Sequence, residues 1–215
     1  MNKETARFNM VEQQIRTWEV LDPNVLSACE NIQRECFVPA NFEELAFSDI
    51  EIELSSSQKM MTPKMCARAA QALGIKNTDT ILEVGTGSGY MSALLSSLGG
   101  SVTSFEIDEN LADMARKNLQ TANIKNCTVT NSDGLEASLD MYDVIMLTGG
   151  IAHRKPDLEK QLRLDGRMFC MIGEPPSMQA TLITRTAKKG WTTECLFETE
   201  VTLLIGAQNT KEFEF

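Results

Sequence analysis

Hydrophobic and polar positions change rhythm once along this 215-residue chain, close to Gly74. Before that point the spacing is helical. Asp22-Pro23 joins an N-cap side chain to a residue whose fixed φ suits a first turn, and Val25, Leu26, Cys29 and Ile32 follow at helical intervals. Thr62-Pro63 repeats the device: Met65, Ala69 and Leu73 share one face and Gly74 supplies the stop. Thr62 is therefore read first as a helix cap. Residues 1–75 predict a helical segment.

Beyond Gly74, short apolar runs alternate with helical periods. Strands are predicted over Thr80–Val84, Ser101–Glu106, Cys127–Asn131, Tyr142–Thr148 and Arg167–Ile172. Helices are predicted from Tyr90 to Leu98, after the capping residue Asp108, and from Pro156 to Leu162. Ala180–Thr186 and the β-branched run Thr199–Ile205 flank Lys188-Lys189-Gly190, which predicts a hairpin. Such alternation gives an α/β fold with a mostly parallel, twisted sheet covered by helices on both faces, an N-terminal helical extension and an antiparallel C-terminal edge. The expected organisation is a single domain over 1–215: a helical segment 1–75 packed on the site, a Rossmann-like sheet 76–207 and a tail 208–215.

The chemistry concentrates where the first strand meets its helix, at Glu83-Val84-Gly85-Thr86-Gly87-Ser88-Gly89-Tyr90. Open α/β sheets bind ligands at the carboxyl ends of their strands, and the glycines let a ligand approach the backbone. A dinucleotide fingerprint, Gly-x-Gly-x-x-Gly, would put its third glycine where Tyr90 stands. The spacing here is Gly-x-Gly-x-Gly, and Glu83 adds a carboxylate suited to a ligand carrying an ammonium and a sulfonium. Both features favour S-adenosyl-L-methionine over a nicotinamide cofactor. Glu106, 21 residues after Gly85, closes the second strand where an acidic residue meets ribose hydroxyls, and Asp133-Gly134 follows the third strand on the adenine side. Loop, Glu106 and Asp133 in that order make a Rossmann-like class I methyltransferase the leading reading.

Composition narrows the partners. A formal net charge of −10 argues against a surface that neutralises a phosphate backbone, so no nucleic acid is expected. No apolar stretch reaches membrane-spanning length and no signal-peptide core opens the chain, so the expectation is no membrane and a cytoplasmic setting. Six cysteines without a Cys-x-x-Cys pair, in a chain with one histidine, give a poor zinc ligand set. No metal is expected. That histidine, His153, lies in a polar loop after the fourth strand and reads as exposed.

The chain resembles the protein-L-isoaspartate O-methyltransferase family over nearly its whole length. The similarity is carried by Arg34-Glu35-Cys36-Phe37-Val38-Pro39, Ala46-Phe47-Ser48-Asp49, Gln58, Pro63–Met65, Leu82–Tyr90, Ser132-Asp133-Gly134, Gln161-Leu162 and Asp165-Gly166-Arg167. It implies methyl transfer from S-adenosyl-L-methionine to an isoaspartyl carboxylate of a damaged protein or peptide, the first step of repair through a succinimide. The cofactor contacts so expected are Glu83, Val84, Gly85, Thr86, Gly87, Ser88, Gly89, Glu106, Ile107, Asp133, Gly134 and Thr148. The substrate side is expected at Gln58, Lys59, Met60, Met61 and Thr62. There the sequence departs from the family pattern Gly-Gln-Thr-Ile-Ser-x-Pro-x-Met: Lys59 stands at the Thr position and Met61 at the Ser position credited with catalysis or substrate positioning. A thioether cannot donate the hydroxyl's hydrogen bond. No catalytic residue is assigned, and two further readings stay open: another carboxylate or small-molecule acceptor, and a cofactor-binding protein without catalysis. Oligomeric state is not legible in the sequence.

Overall fold

The computed structural model describes residues 2–55, 57–136 and 140–208. The predicted tail 208–215 thus lies outside the described residues except for Gln208. The chain opens with α1 (Lys3–Asn9), which continues through a π turn at Met10–Ile15 and a 3-10 turn at Arg16–Trp18. Helix α2 (Pro23–Asn31) begins as predicted, with Asp22 accepting from the amides of Asn24 and Val25. The segment 32–62 departs from the helical expectation. It holds 3-10 turns and a two-residue hairpin, β1 (Ile52–Glu53) against β2 (Lys59–Met60), in the register Ile52↔Met60 and Glu53↔Lys59. Pro39 and the serine run 55–57 remove the i, i+3, i+4 apolar spacing there, so no helix face exists to bury. Regular helix resumes at α3 (Pro63–Leu73), capped by Thr62 Oγ1 on the Met65 amide and stopped by Gly74 at φ 53°. A cap of that kind contributes about 1 kcal/mol.

Strands β3 (Thr80–Val84), β4 (Ser101–Glu106), β5 (Cys127–Asn131), β6 (Tyr142–Ile151), β7 (Leu162–Glu174), β8 (Ser177–Ala187) and β9 (Gly190–Thr199) form one sheet. Its order is β5-β4-β3-β6-β7-β8-β9, parallel through β7 and antiparallel for the last two pairs. Helices α4 (Tyr90–Leu98), α5 (Glu109–Thr121) and α6 (Pro156–Lys160) connect the parallel strands. The central strands β3 and β6 are buried along most of their length, as a sheet covered on both faces requires. One core gathers α1 to α4 with Ile81, Val144, Met146 and Phe169; the other holds Leu82, Ile145, Leu147, Leu158 and Met168.

The C-terminal hairpin differs from the expectation in its second arm. Ala187 pairs with Gly190 across Lys188-Lys189, so the arm that returns on β8 is Gly190–Thr199. The apolar run after Thr199 leaves the antiparallel edge and crosses to β6, where Gly150 and Leu203 form an isolated parallel bridge. Its apolar side chains Val201 and Leu204 are buried against the carboxyl ends of β3 and β6 instead of on the edge, where one face would meet water. This crossing supplies a wall of the cleft described next.

Candidate active site

Strand β3 ends at Val84, and the backbone then passes through Gly85, Gly87 and Gly89 at φ 92°, 55° and 86° before α4 begins. Gly87 stands against the β1–β2 hairpin, where an added Cβ would lie 3.1 Å from Leu54 Cδ1. The loop is fastened from below. Gly85 N–H donates to the Phe105 carbonyl at 2.8 Å, and the Thr148 hydroxyl donates to the carbonyls of Val84 and Gly85. Glu106, 5% exposed at the end of β4, accepts from the Gly87 amide at 2.8 Å and from the Asp108 amide at 3.0 Å. A carboxylate offers about four lone-pair sites, so two remain for a ligand. At the end of β5, Asp133 Oδ1 accepts from the Leu135 amide at 2.8 Å.

These strand ends border one shared cleft, lined by polar and apolar side chains together. Its floor is Val84, Gly85, Gly87, Gly134 and Thr148; its polar side is Glu106 and Asp133; its apolar sides come from Phe105, Ile107, Leu111 and Leu135. The hairpin adds Glu51, Leu54, Gln58, Lys59 and Met61, and the C-terminal crossing adds Val201, Thr202, Leu204 and Ile205. A smaller chamber opens beside the loop between Met60, Met61, Cys66, Thr86, Ser88, Tyr90 and Met91.

Of the expected cofactor contacts, Val84, Gly85, Gly87, Glu106, Ile107, Asp133, Gly134 and Thr148 come together on this cleft. Thr86 and Ser88 face the smaller chamber instead. Gly89 lines neither: its left-handed backbone opens α4, and an added Cβ would touch Ala115 and Leu119 of α5, so glycine serves helix packing there. Glu83 is the clearest correction. It is fully buried beneath the loop, where the hydroxyls of Ser92 and Ser104 donate to one carboxylate oxygen. Side chains alternate along a strand, so Val84 facing the cleft turns Glu83 the other way. Burial pushes its carboxyl up to about 7, against the lowering effect of the two hydroxyls.

On the substrate side, Gln58, Lys59 and Met61 line the main cleft, whereas Met60 belongs to the smaller chamber and the core and Thr62 caps α3. Met61 is held from behind by Arg34. This fully buried guanidinium donates Nη2 to the Met61 carbonyl at 2.8 Å and Nε to the Ala46 carbonyl at 2.9 Å, and it lies 4.6 Å over the Tyr90 ring. Burial raises the Cys66 thiol to about 11, so the chamber presents no ready thiolate nucleophile. His153 is exposed and lies outside both cavities. Sequence reading missed Glu51, Leu54 and the Val201–Ile205 wall as cleft residues. The apolar run at 201–205 carries the signal, but spacing alone predicts it as an arm of the hairpin.

Among the described residues there is no group of three or more His, Cys, Asp or Glu side chains arranged to hold a metal ion, and no helix is long and apolar enough to cross a membrane.

Comparison with known proteins identifies relatives along most of the chain. A protein 36% identical over 182 residues, covering 84% of this chain and 86% of its own, is the protein-L-isoaspartate O-methyltransferase of Protochlamydia amoebophila. Its counterpart from Rhodopseudomonas palustris is 32% identical over 208 residues, with 95% of each chain covered. Among solved structures, a Plasmodium falciparum beta-aspartate methyltransferase in complex with S-adenosyl-L-homocysteine superposes with a TM-score of 0.79 at 17% identity, covering 95% of this chain and 98% of that one. A second protein-L-isoaspartate O-methyltransferase structure gives a TM-score of 0.80 at 21% identity, with 94% of this chain and 65% of that one covered. Both structural likenesses bear on the fold, a Rossmann-like class I methyltransferase. The family model for protein-L-isoaspartate(D-aspartate) O-methyltransferase matches residues 5–203, from the first helix to the wall of the cleft, and this chain belongs to that family.

Proposed function

We propose that the chain is an S-adenosyl-L-methionine-dependent O-methyltransferase that esterifies the free carboxylate of isoaspartyl residues in proteins or peptides. The observation that carries this reading is the cleft at the ends of β3 to β6, where a glycine loop and two carboxylates, Glu106 and Asp133, meet in a chain of this family. The residues fit the cofactor. The Glu106 carboxylate keeps acceptor capacity for vicinal hydroxyls, Asp133 and Gly134 line the cleft together with the apolar Phe105 and Leu135, and Gly87 leaves the backbone bare. When bound, the sulfonium supplies an electrophilic methyl group.

The chain's own work is alignment and exclusion of water. Thr148 and Glu106 fix the loop backbone, while Val201, Leu204 and Leu135 close the apolar sides. A carboxylate acceptor is ionised near neutral pH and needs no base. A cleft without an imidazole or a low-pKa thiol is consistent with that economy. Cleft-lining by Met61 favours one further reading of the acceptor: a carboxylate other than isoaspartate, seated without a hydroxyl donor.

The test is transfer of tritiated methyl from S-adenosyl-L-methionine to an isoaspartyl peptide, with the aspartyl isomer as control and calorimetry with S-adenosyl-L-homocysteine against NAD. Base-labile counts in the isoaspartyl peptide alone are expected. Cofactor binding without transfer to either peptide would overturn the acceptor, and binding of NAD in place of S-adenosyl-L-homocysteine would overturn the whole reading.

A further inference from the structure

Carboxylates reach the cleft from three elements: Glu51 before β1, Glu106 at the end of β4 and Asp133 after β5. That wall repels the anionic acceptor a carboxyl methyltransferase has to seat. Among the described lining residues, Lys59 is the one cationic side chain. It comes two residues before Met61, and both line the cleft whereas Met60 between them does not. Lys59 Nζ lies 3.5 Å from Glu51 Oε2, and the side chains keep 44% and 28% exposure. Strong N–H to carboxylate contacts measure about 2.7–2.9 Å, so this pair is loose, and an ammonium has three donors to offer.

We propose that Lys59 is the residue that receives the acceptor's carboxylate, with Glu51 standing in for it until the acceptor arrives. The proposal deepens the carboxyl methyltransferase reading and rests on it. The ammonium, on a flexible stem, supplies from another position lining the cleft the donor that the thioether of Met61 lacks. Its ligand class is a free carboxylate on a peptide. Esterification neutralises that carboxylate with no proton transferred, so Lys59 holds the acceptor more firmly than the methyl ester and thereby favours product release. Lys59 is on this account a specificity-determining residue, and Glu51 sets how accessible it is.

Equilibrium binding tests this without turnover. An isoaspartyl peptide and its methyl ester are titrated calorimetrically into protein saturated with S-adenosyl-L-homocysteine, for the wild type, Lys59→Met, Lys59→Arg and Glu51→Gln. The wild type is expected to prefer the carboxylate over the ester by about tenfold or more, the scale of one charged hydrogen bond. Lys59→Met should bring the two affinities together, Lys59→Arg should keep the preference, and Glu51→Gln should tighten the carboxylate alone. Direct affinity for S-adenosyl-L-homocysteine in each variant reports whether the cleft survives. An unchanged preference in Lys59→Met, or no binding of the isoaspartyl peptide by the wild type, overturns the proposal. Methyl transfer by the wild type with an indifferent Lys59→Met would remove Lys59 and leave the enzyme reading standing, whereas absent transfer counts against that reading itself.

Discussion

Replacing Glu83 by glutamine should change how stability depends on pH more than it changes the structure. The carboxyl sits at about 7 against an ordinary 4.5, because burial disfavours its charged form more than the hydroxyls of Ser92 and Ser104 favour it. A group whose folded-state pKa is raised contributes stability that is fully present below the unfolded value and lost as pH rises through the folded one. The window here runs from about 4.5 to about 7. A gap of that size corresponds to about 3 kcal/mol, at roughly 1.4 kcal/mol per pKa unit. Glutamine keeps the shape of the neutral carboxyl and accepts the same two hydroxyl hydrogen bonds, but it has no proton to lose. Urea denaturation of both proteins at intervals from about pH 4.5 to about pH 8 lets the other titrating groups cancel in the difference. Relative to the wild type, Glu83→Gln should gain about 3 kcal/mol across that window and change little above it. A flat difference would mean that Glu83 is ionised in the folded protein, and the burial argument would fail.

Glu106→Ala should weaken S-adenosyl-L-homocysteine binding by roughly ten- to a hundredfold, through loss of a charged acceptor and of the clamp on the Gly87 amide; unchanged calorimetric affinity would refute the ribose assignment. Gly134→Ala should lower Tm, because its Cβ would lie 2.8 Å from Phe105 Cβ and Val84 Cγ1. Overpacking of that kind costs about 1–3 kcal/mol, or several degrees in a chain of this length, and a melting curve that overlays the wild type would count against the tight floor. Met61→Ser should raise kcat/KM for an isoaspartyl peptide by adding a hydroxyl donor beside Lys59. Lys59→Thr alone should lower it and the double variant should fall between them, since neighbours in one site act together; a fall on introducing serine would show that the thioether belongs to a working pocket.

The legible parts of the sequence were those where local chemistry decides. Asp22 and Thr62 cap helices because their side chains reach amides two or three residues on, and the glycine loop follows from strand, turn and helix signals within a dozen positions. At Glu83, the place next to the loop suggests a ligand contact while the parity along β3 opposes one. Alternation along β3 puts Glu83 opposite Val84, and the serines at 92 and 104 are its buried partners. The wall at 201–205 is hidden in the sequence for another reason. Its β-branched composition suits a strand, but which surface it joins depends on β6, some 50 residues earlier in the chain, and spacing carries no record of that contact.

The cleft gathers side chains from Glu51 to Ile205, about three-quarters of the span of the described chain. A ligand held there recognises the finished molecule and not a part of it. During synthesis the parallel strands can pair while the site still lacks a side, and only arrival of the Val201–Ile205 segment converts sheet into receptor. Mass action then ties the two events together, since a ligand at a hundred times its Kd adds about 2.7 kcal/mol to whatever holds that segment down. Cofactor abundance in the cell thus becomes a term in the folding equilibrium of the Val201–Ile205 wall.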